Sequence, residues 1–152
     1  MNIRRAKLSE ADFLSDLSML SKQSNGYGED FMEMCRDELR VTQERLEKGE
    51  YWVAETESEE ICGCVCLCVE SDDQSGEVHA FFIHPDWQRR GLGKKLWNKI
   101  LERAIDQNLK LLHLDADPFA VAFYELLGFK TVRETPSGSI ADRTIPYMEL
   151  HL

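Results

Sequence analysis

Residues 61–69 read Ile-Cys-Gly-Cys-Val-Cys-Leu-Cys-Val, a run with no charged side chain, set between the acidic turn Glu57-Ser58-Glu59-Glu60 and the polar turn over 72–76. In an extended chain successive side chains point to opposite faces, so this run is apolar on both. A strand of that kind needs cover on both sides and belongs in the middle of a sheet, with helices above and below. Alternation puts Cys62, Cys64, Cys66 and Cys68 on one face and Val65, Leu67 and Val69 on the other. Cysteines two apart in a strand lie roughly 6–7 Å from each other, too spread for one tetrahedral zinc and strained as disulfides. They read as small buried hydrophobes in a reducing compartment.

The chain has 152 residues, 43% of them apolar, enough for one sizeable core and too few for two ordinary domains. A single α/β domain over 1–152 is expected. Residues 2–5 suit a first strand, followed by a helix that Ser9 caps, with Phe13, Leu14, Leu17 and Leu20 at helical spacing. A loop over 23–28 leads to a second helix from Asp30 to about Lys48, which Gly49 ends. Strands follow near 51–57, 61–70 and 77–83, then a long helix from Leu92, a short strand over 111–114, and a helix from Pro118 to Leu127 with Gly128 after it. Strands near 129–134 and 143–151 close the chain.

With 28 acidic and 18 basic side chains the formal net charge is -10, which argues against a nucleic-acid binder and is compatible with a cationic partner. No apolar run approaches the roughly 20 residues of a membrane span, and the start MNIRRAKLSEAD lacks the apolar stretch of a signal peptide. A cytoplasmic protein, monomer or homodimer, is expected.

Against that acidic background, His84-Pro85-Asp86-Trp87-Gln88-Arg89-Arg90-Gly91-Leu92-Gly93 concentrates positive charge and glycine between a strand and a helix. Unpaired N–H groups at a helix start, backed by the helix dipole, form an anion site. Gly91 and Gly93 let a ligand approach the backbone, and Arg89, Arg90 and Lys94 add charge, an arrangement suited to a diphosphate. The spacing matches neither a dinucleotide-binding G-x-G-x-x-G nor a P-loop.

Two stretches together resemble the GNAT superfamily of acyl-CoA-dependent N-acyltransferases. Phe81 to Gly93 resembles its central strand followed by Q/R-x-x-G-x-G/A, and Asp117 to Phe129 resembles its later N-x-x-A-x-x-[FL]-Y-x-x-x-G-F segment. The resemblance implies a mixed sheet of about six to seven strands flanked by helices, with two central strands that splay apart. It implies acetyl-CoA as cosubstrate: residues 89–94, including Leu92, hold the pyrophosphate through backbone N–H groups, and Phe81, Phe82 and Ile83 hold the pantetheine arm. Tyr124 falls at the family's general-acid position, near the CoA sulfur, and Ile83 at that of the oxyanion donor. Where the family often has asparagine, this chain has Asp117, which serves either the cofactor or the cap of the helix that Pro118 starts. No metal is implied.

Acetyl transfer to an amine needs a free lone pair, and a lysine-like ammonium with a pKa near 10.4 must first lose a proton. Glu77 and His79 share a face of the strand that leads to the thioester, and either is a candidate base or water relay. Tyr27, between two glycines, and the Pro136-Ser137-Gly138-Ser139 segment read either as lids over the acceptor or as plain surface loops. Two classes of function fit these residues: an N-acetyltransferase acting on a primary amine, and a CoA-binding module without turnover.

Overall fold

A computed structural model describes residues 1–72 and 74–152, so Asp73, expected in the polar turn over 72–76, lies outside the described residues. The strands are β1 (Asn2–Arg5), β2 (Glu50–Glu55), β3 (Ile61–Val69), β4 (Ser75–Ile83), β5 (Leu111–Asp115), β6 (Lys130–Pro136) and β7 (Thr144–His151). Among the described residues they form one seven-stranded sheet in the order β1-β2-β3-β4-β5-β7-β6, parallel only between β4 and β5. On one face lie α1 (Ala11–Gln23), α2 (Glu29–Leu39) and α3 (Gln43–Lys48), and on the other α4 (Leu92–Asp106) and α5 (Val121–Leu126). No helix among the described residues is long and apolar enough to cross a membrane. The α/β fold with a mixed central sheet agrees with the sequence reading.

β3 is the doubly buried strand. Val65 and Leu67 enter the core beneath α4 with Leu96, Trp97 and Ile100, while Cys64 and Cys66 enter the opposite core with Leu14, Leu17 and Tyr51. The expectation that four cysteines share one face needs correction at Cys62, which lies in the α4 core. The cause is a bulge: Ala54 pairs with Gly63 but Glu55 pairs with Ile61, so β3 carries one extra residue there and the alternation resets. None of the five cysteines is bridged, and burial pushes the Cys64 thiol up to about 12, so it stays protonated and inert.

Two further expectations are corrected. The helix read over 30–48 is two helices, because Arg40 turns to an extended conformation and Thr42 caps α3 by accepting from the Arg45 N–H at 3.1 Å. The break lets Val41 reach the core beside Leu46 while its N–H bonds to Ser15 Oγ at 2.8 Å. Ser9 does not cap α1. It sits in a 3-10 turn over Leu8–Glu10, where the Glu10 carboxylate accepts from the Lys7 N–H at 2.7 Å and pairs with Arg4 at 2.7 Å.

At Gly63 on β3 the α4 residue Leu96 packs close against the strand backbone. A Cβ there would lie 2.9 Å from Ile83 Cδ1, 3.1 Å from the Phe82 carbonyl oxygen and 3.2 Å from Leu96 Cδ1. Gly63→Ala is therefore expected to lower unfolding free energy by about 1–3 kcal/mol in urea denaturation, the usual cost of overpacking.

Candidate active site

β4 and β5 pair only from Ser75, Gly76 and Glu77 to Leu111, Leu112 and His113. Beyond that point β5 continues along β7 to Asp115, while β4 stays with β3 to Ile83. A bulge accompanies the parting: Cys64 pairs with Phe82 and Cys66 with His79, so β4 holds one extra residue, and Ala80 adopts φ 53°. The carbonyl displaced at Ala80 accepts from Cys64 Sγ at 3.2 Å. Glu77 and His79 face the α1 side as alternation predicts, but the bulge also brings Ala80 and Phe82 to that side and sends Phe81 and Ile83 to the α4 core.

The Ile83 carbonyl accepts from the Gln88 side-chain amide at 3.3 Å, and Gln88 also reaches Ser24 Oγ at 3.3 Å. A strand residue's N–H and C=O point the same way, so the Ile83 N–H faces the opening between the strands. The chain then makes a 3-10 turn over Pro85–Trp87 and enters α4 through left-handed conformations at Arg89 (φ 62°) and Gly91 (φ 78°). The N–H groups of Leu92, Gly93 and Lys94 precede the first intrahelical bond, from Lys95 N–H to the Gly91 carbonyl at 3.3 Å, and so have no helical partner. No acidic residue lies in that first turn, and Arg89, Arg90 and Lys94 are exposed. Leu92 buries its side chain in the core, which leaves only its backbone to a ligand. The Arg90 guanidinium rests over Trp87, 4.9 Å from the ring centre.

A cavity of about 450 Å³ runs through the strand opening from the α1 face to α5 and includes Glu77, His79 and Tyr124 in its lining. Burial raises the Glu77 carboxyl above its ordinary value, Asp115 and Glu70 add to the rise, and His113 opposes it. Burial, with Arg45 nearby, lowers His79, so its imidazole stays neutral further into acid. Burial raises the Tyr124 phenol and Asp117 adds to it, so the group remains a proton donor at any ordinary pH. The Tyr124 ring packs edge-on to Phe81, Phe123 and Phe129, and its hydroxyl has no bonding partner among the described residues. The sequence reading missed Glu38, Arg45, Tyr51 and Asp115 as lining residues. Asp115 was legible in principle, two positions before Asp117; the others arrive from elements that only packing brings near.

Asp117 caps the turn before α5, accepting from the Phe119 N–H at 2.9 Å, and also takes Lys22 Nζ at 3.0 Å and the Tyr27 hydroxyl at 3.0 Å. Tyr27 stacks on Phe31 with ring centres 4.1 Å apart, and Arg143 donates to its hydroxyl at 2.9 Å. Three segments distant in sequence thus meet at one carboxylate and one phenol, forming a tie across the α1 side of the opening. The segment after Pro136 docks too, with Ser139 Oγ 3.5 Å from Cys35 Sγ on α2.

The sequence profile of the Acetyltransferase (GNAT) family matches residues 16–129. The chain belongs to that family. Its sequence is 30% identical to the peptidyl-lysine N-acetyltransferase YjaB of Salmonella typhimurium, over 100% of this chain and 97% of that protein. It is 31% identical to human N-acetyltransferase 8 over 65% of this chain, and spans only 47% of that longer protein. Several curated relatives share this pattern, and over the first two the match spans 27% and 32% of their length. Among solved structures, the PaiA N-acetyltransferase of Thermoplasma acidophilum, in complex with coenzyme A, superposes with a TM-score of 0.79 at 17% identity, covering 99% of this chain and 98% of that one.

In this GNAT protein the Asp117 tie is testable by itself. Asp117→Ala removes a cap and leaves Lys22 and Tyr27 without their acceptor, and is expected to cost about 1–3 kcal/mol of stability and to speed amide exchange over 24–28. Asp117→Asn keeps the cap, so hydrogen exchange should show a smaller effect.

Proposed function

We propose that this protein transfers the acetyl group of acetyl-CoA to a primary amine by direct attack while both substrates are bound. The observation that carries the reading is the cavity through the β4–β5 opening, where two groups able to take a proton, Glu77 and His79, share walls with one able to give it, Tyr124. Acetyl-CoA, when bound, supplies an activated acyl carbon and a thiolate leaving group. The backbone N–H groups of residues 89–94 are assigned to its pyrophosphate, with Arg89, Arg90 and Lys94 adding charge, and the open edge of Phe81, Phe82 and Ile83 to its pantetheine arm. Asp117, whose carboxylate is already taken by three donors, is assigned to shaping the wall.

Glu77 takes the proton of the incoming ammonium, directly or through water, with His79 as relay or alternative base. A carboxyl raised by burial is a stronger base once ionised, which suits it to this step. The Ile83 N–H stabilises the oxyanion as the tetrahedral centre forms, and Tyr124 gives its proton to the departing sulfur. The acceptor is cationic before it reacts. Lys22 is paired with Asp117, Arg143 with the Tyr27 hydroxyl, and Arg45 with the Glu38 and Arg40 carbonyl oxygens. Arg45 and Arg143 keep their charge, since those acceptors are neutral, and the lining sets the four carboxylates of Glu38, Glu77, Asp115 and Asp117 against the three cations Lys22, Arg45 and Arg143, an excess of one acidic group. The near-full-length likeness to YjaB, named for peptidyl-lysine, makes a lysine side chain the favoured acceptor. Five unbridged cysteines fit action in a reducing cytoplasm.

Release of free thiol from acetyl-CoA should depend on added amine, and a lysine-containing peptide should surpass simple monoamines. Acetyl-CoA binding with no thiol release under any amine would leave only a CoA-binding module. Gly91→Val forces a β-branched residue into a left-handed conformation with open space around it, so the fold should persist while calorimetry shows acetyl-CoA affinity lowered at least tenfold.

Two variants separate the proton roles. Tyr124→Phe should lower kcat with little change in acetyl-CoA affinity, since only the hydroxyl is lost. Because the Glu77 carboxyl is raised, its basic form appears only as pH climbs through a range above that of an ordinary glutamate, and kcat/KM should rise through that same range. In Glu77→Gln this limb should vanish with a loss of roughly 10² or more. His79→Ala losing more than Glu77→Gln would transfer the base role to His79.

A further inference from the structure

His113 has no role in the reading above, yet it is the β5 register partner of Glu77 and shares its face of the sheet. Its Nε2 lies 2.6 Å from Glu70 Oε1, and its ring centre is 5.7 Å from that of Tyr147. The side chain is only 17% exposed. The imidazole is thus fixed from two sides, bonded to Glu70 just after β3, in register with Glu77 on β4 and two residues before Asp115 on β5.

Burial of Glu77, with Asp115 and Glu70 nearby, favours its protonated form, so a counter-charge beside it favours ionisation. The other groups facing it do not supply one to Glu77. From β7, Glu149 accepts from the Tyr147 hydroxyl at 2.8 Å, and His151 lies 3.6 Å from the same residue. From β6, Arg133 sits 4.0 Å over the Tyr147 ring and acts on Asp115. Glu38 of α2 adds negative charge toward Asp115, and Cys68 of β3 faces Glu77 without a positive charge. Arg45 of α3 acts on His79. His113 alone draws both Glu77 and Asp115 down.

We propose that His113, fixed by Glu70 as the register neighbour of Glu77, is a positioning residue: a positive charge on its ring favours the ionised form of Glu77 and so extends activity to lower pH. This rests on Glu77 as the base. The test uses two readouts on the full chain: the titration midpoint of the Glu77 carboxyl carbon in ¹³C NMR, assigned by its loss in E77Q, and the acid limb of kcat/KM. In H113Q both should move up by roughly one pH unit, toward the low end for losing a nearby opposite charge, so that activity below the limb falls about tenfold. H113K, which restores a positive charge at the position, should return both toward the wild-type midpoint. A merely structural role for His113 would not give that rescue.

H113N serves the same comparison if H113Q does not fold. An unmoved Glu77 resonance in the folded variant overturns the proposal, whatever the activity does. A resonance that moves while E77Q keeps the wild-type pH profile upholds the charge coupling and overturns Glu77 as base.

Discussion

β4 and β5 are hydrogen-bonded as parallel neighbours only as far as Glu77 and His113, and the extra residue at Ala80 keeps β4 bent toward β3 while β5 follows β7. A bulge bends its strand and raises local twist, and β4 makes no further pairs with β5 beyond Glu77. The positive φ at Ala80 costs of order 1 kcal/mol for a residue with a Cβ, and the Cys64 thiol partly offsets the disrupted pairing by donating to the Ala80 carbonyl oxygen. From that parting follow the opening in the sheet, the exposed edge of β4, and a cavity that joins the two faces. An uninterrupted sheet would keep Tyr124 and Glu77 on opposite sides of a wall.

The opening also divides the environments of the ionisable groups. Glu77 is raised by burial among other carboxylates, His79 is lowered by burial beside Arg45, and Tyr124 is raised by burial among aromatic rings. Desolvation acts on all three in the same sense, toward the uncharged form. A neutral imidazole and a neutral phenol therefore flank a carboxyl whose ionisation depends on its neighbours. Asp117, Tyr27, Lys22 and Arg143 secure the rim of the same opening by joining α1, the turn before α5 and the loop before β7.

Much of this was legible in the residues themselves. The doubly apolar run at 61–69 demanded a central strand, glycines at 91 and 93 marked a helix start, and a proline after Asp117 offered a helix cap as one of two roles for that aspartate. Period-two alternation correctly put Glu77 and His79 on one face. It failed at Cys62, because strict alternation assumes no bulge, and the register shift between Ala54 and Glu55 is set by the pairing of β3 with β2. The helix over 30–48 failed similarly: Val41 leaves helical conformation to enter a core whose position no local pattern encodes.

By itself, then, the sequence determined the kind of fold, the order of its strands and the glycine turn that opens α4, since propensity, patterning and turn chemistry are local and repeat along the chain. Tertiary structure alone decided where β4 and β5 part, that Glu70 clasps His113 beside Glu77, and that Asp117 gathers Lys22 and Tyr27. Those contacts join residues 43, 95 and 90 positions apart. Charge and burial at such points are properties of the packed assembly, because the field at one side chain is set by every group that folding brings around it.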